Sequence, residues 1–260
     1  MTYQHVLVEK QGHIARVILN RPEVMNALNS EIMTEIEQVA NSFLSDEKTR
    51  VVIFEGAGKH FSAGADLKQK GEPQSLLMRR RSAGLGARMI KAILAINQVT
   101  IAAIQGAALG GGACIPTACD FRIGSDDITV GYPEVNLGIN LMWRSLPLCV
   151  RLIGPARAKK MIMLGSRENG TTLLQWGFLD ELVARQDLSA ASMTMAQAYA
   201  QQPPIAVQMI KQSINAVSNA LDDALMHMDT DQNLLSQFSD DRREAIDAYF
   251  DKRDPVYTGD

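Results

Sequence analysis

The sequence predicts an α/β protein whose strand-rich first half is followed by a helical tail. Three observations carry that reading. Continuous apolar, β-branched runs at 51–54 and 99–104 each end near a glycine, as strands buried on both faces do. Longer stretches with apolar residues at helical spacing accompany them. After Pro133 nearly every segment has helical character. With 260 residues, 46% of them hydrophobic, the chain is long enough for one large core, or for a core plus a small helical appendage.

Taken in order, residues 5–9 and 14–19 alternate apolar and polar side chains around Gly12, which predicts a hairpin. Asn29 or Ser30 then caps a helix whose apolar positions are Ile32, Ile36, Val39 and Phe43. A strand over 51–54 ends at Gly56. The polar stretch 69–82 reads as a loop leading into a helix over 85–96, and a second buried strand at 99–104 runs to Gly106. Short strands are expected at 121–123 and 128–130, and helices at 141–152, 156–164, 171–176, 190–200, 205–217, 221–238 and 242–250. Pro203 and Pro204 read as a helix start, because proline suits the first turn. No solenoid-type repeat and no low-complexity linker interrupts the chain.

Composition excludes several function classes. Twenty-six Lys and Arg against 29 Asp and Glu give a formal charge of -3, so nothing favours a nucleic-acid partner. The run Arg79, Arg80, Arg81 reads as an exposed helix face or loop. Cys114, Cys119 and Cys149 are odd in number and lack C-x-x-C spacing, which argues against a disulfide framework or a zinc site and for a reducing compartment. His5, His13 and His227 lack ligand spacing, so no metal site is expected. The first residues alternate like a strand rather than a signal peptide, and no apolar stretch reaches the roughly 18 residues of a membrane span. A soluble, cytoplasmic protein without membrane contact is expected.

Two glycine-rich elements carry the chemistry. The first, His60 to Lys68 (HFSAGADLK), follows the strand at 51–54; the second, Gln105 to Cys114 (QGAALGGGAC), follows the strand at 99–104 and opens a helix. Consecutive glycines at such a junction let a ligand approach the backbone and leave unpaired N–H groups at the positive end of a helix. Two N–H groups converging from separate loops would form an oxyanion hole. Tight helix-to-sheet packing is the alternative use of such glycines. A dinucleotide fingerprint does not fit: Gly110-Gly111-Gly112 lacks the G-x-G-x-x-G spacing, and Gly84-x-Gly86 has neither a third glycine nor a preceding strand. His60, Ser62 and Asp66 supply triad residue types but share one short loop, which argues against a hydrolytic triad.

Together with Leu19-Asn20-Arg21-Pro22, Asn26-Ala27-Leu28 and Tyr132-Pro133-Glu134-Val135-Asn136-Leu137-Gly138, these elements resemble the enoyl-CoA hydratase/isomerase family, the crotonase superfamily, over nearly the whole chain. The resemblance implies a spiral of ββα units over 1–200 holding an acyl-CoA site, and a helical region over 201–260 that makes trimers, often paired into hexamers. It implies an acyl-CoA thioester as substrate, with coenzyme A entering as part of that substrate and no separate cofactor. By this similarity the N–H groups of Ala65 and Gly111 form the oxyanion hole, and Glu134 moves protons beside the thioester. Ala63, Gly64, Asp66, Leu67, Lys68 and Gly110 belong to the stretches that embrace coenzyme A and the thioester.

Hydratases of the family carry a second glutamate where this chain has Cys114. A thiol of pKa roughly 8.5 is a weak substitute for a carboxylate, and burial raises it further. The glycine-rich segment that commonly follows the second glutamate in hydratases is also absent, replaced by Asn140-Leu141-Met142-Trp143-Arg144, and Met142 and Trp143 either line the acyl pocket or pack in the core. One carboxylate suffices to shift a double bond from the 3 to the 2 position, so isomerisation is expected ahead of hydration. A non-catalytic acyl-CoA-binding protein is the reading from another class, and retention of Glu134 argues against it.

Overall fold

Val51, Val52, Ile53 and Phe54 are all buried, and their side chains alternate between two separate cores. Val52 and Phe54 face one, Val51 and Ile53 the other, which is why this strand reads as a continuous apolar run rather than an alternating one. The computed structural model describes residues 3–67 and 74–260. In chain order the elements are β1 (Val6–Gln11), β2 (Ile14–Leu19), α1 (Ser30–Ser42), β3 (Val51–Gly56), α2 (Leu76–Ala83), α3 (Leu85–Leu94), β4 (Val99–Ile104), β5 (Ala107–Leu109), α4 (Gly111–Ala118), β6 (Phe121–Ser125) and β7 (Thr129–Gly131). There follow a 3-10 turn at Pro133–Leu137, α5 (Ser145–Ile153), α6 (Pro155–Met163), β8 (Arg167–Asn169), α7 (Gly170–Trp176), β9 (Glu181–Val183), α8 (Leu188–Ala200), α9 (Pro204–Ser218), α10 (Asp222–Met226), α11 (Asp229–Gln237) and α12 (Asp240–Asp251).

Six strands form the main sheet in the order β1-β2-β3-β4-β6-β9, parallel except for the β1–β2 hairpin. A smaller sheet has the order β5-β7-β8. The chain therefore steps from β4 in the first sheet to β5 in the second and then into α4, a ββα unit in which each sheet contributes one strand. Helices α1, α3 and α4 cover one face of the main sheet, around Phe54, Met89, Ile90 and Ile104, and α8 covers the other, around Ile53 and Ile101. Asn29 caps α1 as expected, its Oδ1 accepting from the Ile32 N–H at 3.0 Å.

Several sequence expectations shift. Part of the stretch read as a loop over 69–82 is helix, since α2 spans Leu76–Ala83 with Ser75 capping it; residues 69–73 of that stretch lie outside the described residues. The segment 221–238 is not one helix: α10 and α11 are separated at His227 and Met228. The helix expected from 141 begins at Ser145, because Trp143 and Arg144 both adopt left-handed backbone, at φ 62°. Strands β5, β8 and β9 have three residues each, too few to show a period. Pro204 opens α9, as expected.

Candidate active site

The two glycine-rich elements lie side by side. Ser62 pairs in parallel with Ala108, its N–H donating to the Ala107 carbonyl at 3.0 Å and its carbonyl accepting from the Leu109 N–H at 3.0 Å. Two residues beyond Ser62, the first loop comes against Leu109 and Gly111 of the second. Gly64, at φ 90°, makes that approach possible: a Cβ there would stand 2.4 Å from the Leu109 carbonyl oxygen and 3.3 Å from the Gly111 nitrogen. The first loop is also tied to the chain before α1, with the Leu28 N–H donating to the Gly64 carbonyl at 2.8 Å and the Asp66 N–H to the Leu28 carbonyl at 3.0 Å. Those bonds use the residues flanking Ala65, whose own N–H has no partner among the described residues. Gly111 begins α4, so its N–H has no intrahelical acceptor and is likewise unpartnered there. Two free N–H groups from two loops, one at the positive end of a helix, suit a developing oxyanion.

Asn26 pins this arrangement. It is fully buried at φ 53°, and its Nδ2 donates to the carbonyls of Ala57 and His60 at 2.9 and 2.8 Å, while Oδ1 accepts from the Arg21 N–H at 2.8 Å. Its carbonyl accepts from Ser62 Oγ at 2.8 Å. The Arg21 guanidinium pairs with Asp66 at 3.1 Å and donates to the Ala27 carbonyl. Arg21 and Asn26 thus carry structural duties that the sequence motif alone did not reveal. His60 accepts the Ala107 N–H at Nδ1, 3.0 Å away, which joins the same loop to β5.

Glu134 sits in the first turn of the 3-10 segment, two residues after the fully buried Tyr132, whose hydroxyl meets Thr117 Oγ1 of α4. A Cβ on Gly110 would lie 2.9 Å from Glu134 Oε1, so the carboxylate rests against the residue preceding Gly111. Gly110 itself has φ 53° and ψ -125°, which no other residue adopts readily. Glu134 is half-buried, but its Oε2 has no solvent contact and no hydrogen-bond partner among the described residues. Burial, rather than a neighbouring charge, pushes the Glu134 carboxyl up to about 7. A carboxylate poised there can both take and return a proton near neutrality.

Cys114 lies one helical turn beyond Gly111, 1% exposed, with Sγ donating to the Gly110 carbonyl at 3.4 Å. Burial and the nearby Glu134 carboxylate push its thiol well above the ordinary range, so it is neutral and unreactive. Trp143 is 7% exposed and Met142 half-buried. The Trp143 indole rests on two glycines at once: a Cβ on Gly111 would meet ring atom Cζ3 at 2.0 Å, and one on Gly86 would meet Cε2 at 2.1 Å. Gly86 is therefore the seat of an aromatic ring rather than part of a nucleotide loop. Arg144 holds the ring in place through its N–H, which donates to Asp229 Oδ2 at 2.9 Å, and through an ion pair with Asp223.

Of the other sequence-predicted residues, Ala63 and Gly64 lie in the loop beside β5, Asp66 pairs with Arg21, Leu67 is exposed, and Lys68 lies outside the described residues. A cavity of about 540 Å³ lies elsewhere, between α9 and β6, and includes none of Ala65, Gly111 or Glu134. All three cysteines are free. Among the described residues there is no cluster of three or more metal-ligating side chains, and no helix is long and apolar enough to cross a membrane.

The family model for enoyl-CoA hydratase/isomerase proteins matches residues 9–260. A short-chain-enoyl-CoA hydratase of Clostridium acetobutylicum is 31% identical over 254 residues, covering 97% of each chain. Among solved structures, a carnitinyl-CoA hydratase from Mycobacterium avium superposes with a TM-score of 0.88 at 26% identity, with all of both chains covered. An enoyl-CoA hydratase from Mycobacterium avium subsp. paratuberculosis gives 0.89 over 99% of this chain and all of the other; at 24% identity that likeness speaks for the fold.

Proposed function

This chain is an enzyme of the enoyl-CoA hydratase/isomerase family, and on that premise we propose that it shifts the double bond of a 3-enoyl-CoA to the 2 position, with Glu134 as its single base. The observation that carries this reading is a carboxylate against Gly110 with Oε2 buried, beside two N–H groups unpartnered among the described residues, with a neutral thiol one helical turn beyond Gly111. The thioester oxygen accepts from the N–H groups of Ala65 and Gly111. Glu134 removes a proton from C2, which is acidified by both the carbonyl and the adjacent double bond. The dienolate negative charge rests on the thioester oxygen between the two donors, and protonated Glu134 returns the proton to C4. One group with a pKa near neutrality serves both steps.

Ala63, Gly64, Asp66, Leu67, Lys68 and Gly110 hold the coenzyme A portion and the thioester in this reading, while Met142, Trp143 and Cys114 bound the acyl end. No cofactor is needed beyond the coenzyme A of the substrate. The enzyme works in the reducing cytoplasm as a trimer or a dimer of trimers; strongly exposed apolar side chains on α9, among them Ile205 at 76% and Val217 at 83%, support self-association. Hydration is the second reading, favoured by the hydratase named among the relatives. A panel of 3-enoyl- and 2-enoyl-CoA esters separates the two, because isomerisation creates the conjugated thioester chromophore and hydration destroys it. Loss of absorbance with 2-enoyl esters and no gain with 3-enoyl esters would overturn the isomerase reading.

A further inference from the structure

Arg242 stands in the first turn of α12, where a cation opposes the helix dipole, and it is half-buried. Burial lowers the pKa of its guanidinium, and it has no ion-pair partner among the described residues. Each of these features is unfavourable for α12 taken alone. Their offset lies across the interface: Arg242 Nη1 donates to the carbonyl of Leu137, the last residue of the 3-10 turn that begins at Pro133 and carries Glu134. A guanidinium at the negative end of that turn is well placed for its dipole. The next residue, Gly138, adopts φ 65° and packs so closely that a Cβ there would stand 2.8 Å from Arg242 Cα. Its N–H donates to Val135 at 2.9 Å, and the N–H of Ile139 donates to the Glu134 carbonyl at 3.2 Å, so the turn closes on the residue bearing the base. On its other side Asn136 packs against Gly165, where a Cβ would meet Nδ2 at 2.6 Å.

We propose that Arg242 is a positioning residue for Glu134: by gripping the Leu137 carbonyl it fixes the 3-10 turn and holds the carboxylate against Gly110. The inference rests on Glu134 being the base. It assigns a catalytic consequence to the C-terminal helix through a contact that touches no substrate. The groups around the carboxylate leave Arg242 as the open variable. Cys114 of α4, Cys149 of α5 and Tyr132 are buried, and each has its pKa raised. Asp229 of α11 accepts from the Arg144 N–H, and of the α6 bases Lys160 pairs with Glu168, Arg157 lies over the Trp176 ring and Lys159 is exposed. On α12, Asp241 accepts from the N–H groups of Thr258 and Gly259, and Glu244 pairs with Arg253.

The test compares Arg242→Met, Arg242→Lys and Glu134→Gln in the full chain with the ester that the wild-type protein turns over. A misplaced base costs on the order of 10- to 100-fold in rate. Arg242→Met is expected to lower kcat by that factor with KM nearly unchanged, and to move the acid limb of the pH profile below the wild-type position as water reaches the loosened carboxylate. Arg242→Lys, which keeps one donor, restores most of kcat. Unchanged kcat and acid limb in folded Arg242→Met, with Glu134→Gln inactive, would sink the positioning role and leave the base assignment standing. A rise in KM alone would place Arg242 in substrate binding and overturn the inference. Full turnover by Glu134→Gln would remove the base itself, and the positioning role with it.

Discussion

Replacing Glu134 by Gln should move stability and activity in opposite directions. The carboxyl is held up to about 7 in the folded protein by burial, against an ordinary value of 4.5. Its folded-state pKa is raised, so the native state favours the protonated form: Glu134 costs nothing below about pH 4, and its penalty grows as pH rises from 4.5 to 7. A shift of this size corresponds to roughly 3 kcal/mol at pH 8 and well under 1 kcal/mol at pH 4. Gln carries no charge to desolvate, although its amide must still lie where Oε2 now has no partner, which takes back part of the gain. For a chain of this length each kcal/mol is worth about 2–4 °C in Tm. Glu134→Gln is therefore expected to raise Tm by several degrees at pH 8, to leave it nearly unchanged at pH 4, and to lower kcat by on the order of 100-fold or more. Thermal unfolding at both pH values beside a turnover assay at pH 8 makes the comparison. A Tm gain of equal size at both pH values, or a loss at pH 8, would refute the claim that a desolvated charge sits at this position.

The acid limb of kcat/KM should fall near pH 7, so the rate drops roughly 90-fold between pH 8 and pH 5, where an ordinary glutamate would lose less than about twofold; a pH series with one ester decides. Gly86→Ala should destabilise the protein by about 1–3 kcal/mol, because its methyl would enter the Trp143 ring. Trp143→Leu should relieve part of that cost, as read from a denaturant double-mutant cycle. Cys114→Glu should not create a hydratase, since the position is 1% exposed and faces another carboxylate. It is expected to cost several kcal/mol and to give no measurable loss of 2-enoyl chromophore above the wild-type rate.

Much of the site was legible because its chemistry is written in short, local patterns. Gly64, Gly110 and Gly111 announce a close backbone approach next to buried strands, and Pro133-Glu134 sets a carboxylate just after them in the chain. What escaped the sequence depends on long-range encounters. Gly86 and Trp143 are 57 positions apart, and nothing local to either marks one as the other's seat. Arg242 reads as an ordinary helical arginine until the Leu137 carbonyl appears beneath it. Short strands such as β5 and β8 are set by their neighbours in the small sheet, since three residues cannot display a period of two. The break at His227 and Met228 likewise has no glycine or proline to signal it.

The parallel pairing of Ser62 with Ala108 has a consequence for how the gene can vary. Chain length between Ser62 and Ala65, and between Ala108 and Gly111, is the ruler that places the two N–H groups proposed to bind the thioester oxygen. One residue inserted into either segment would displace a donor by about 3.3 Å, more than a whole hydrogen bond. Substitutions that keep the backbone path can be absorbed there, whereas a single-codon insertion or deletion would separate the two N–H groups while leaving the rest of the fold in place.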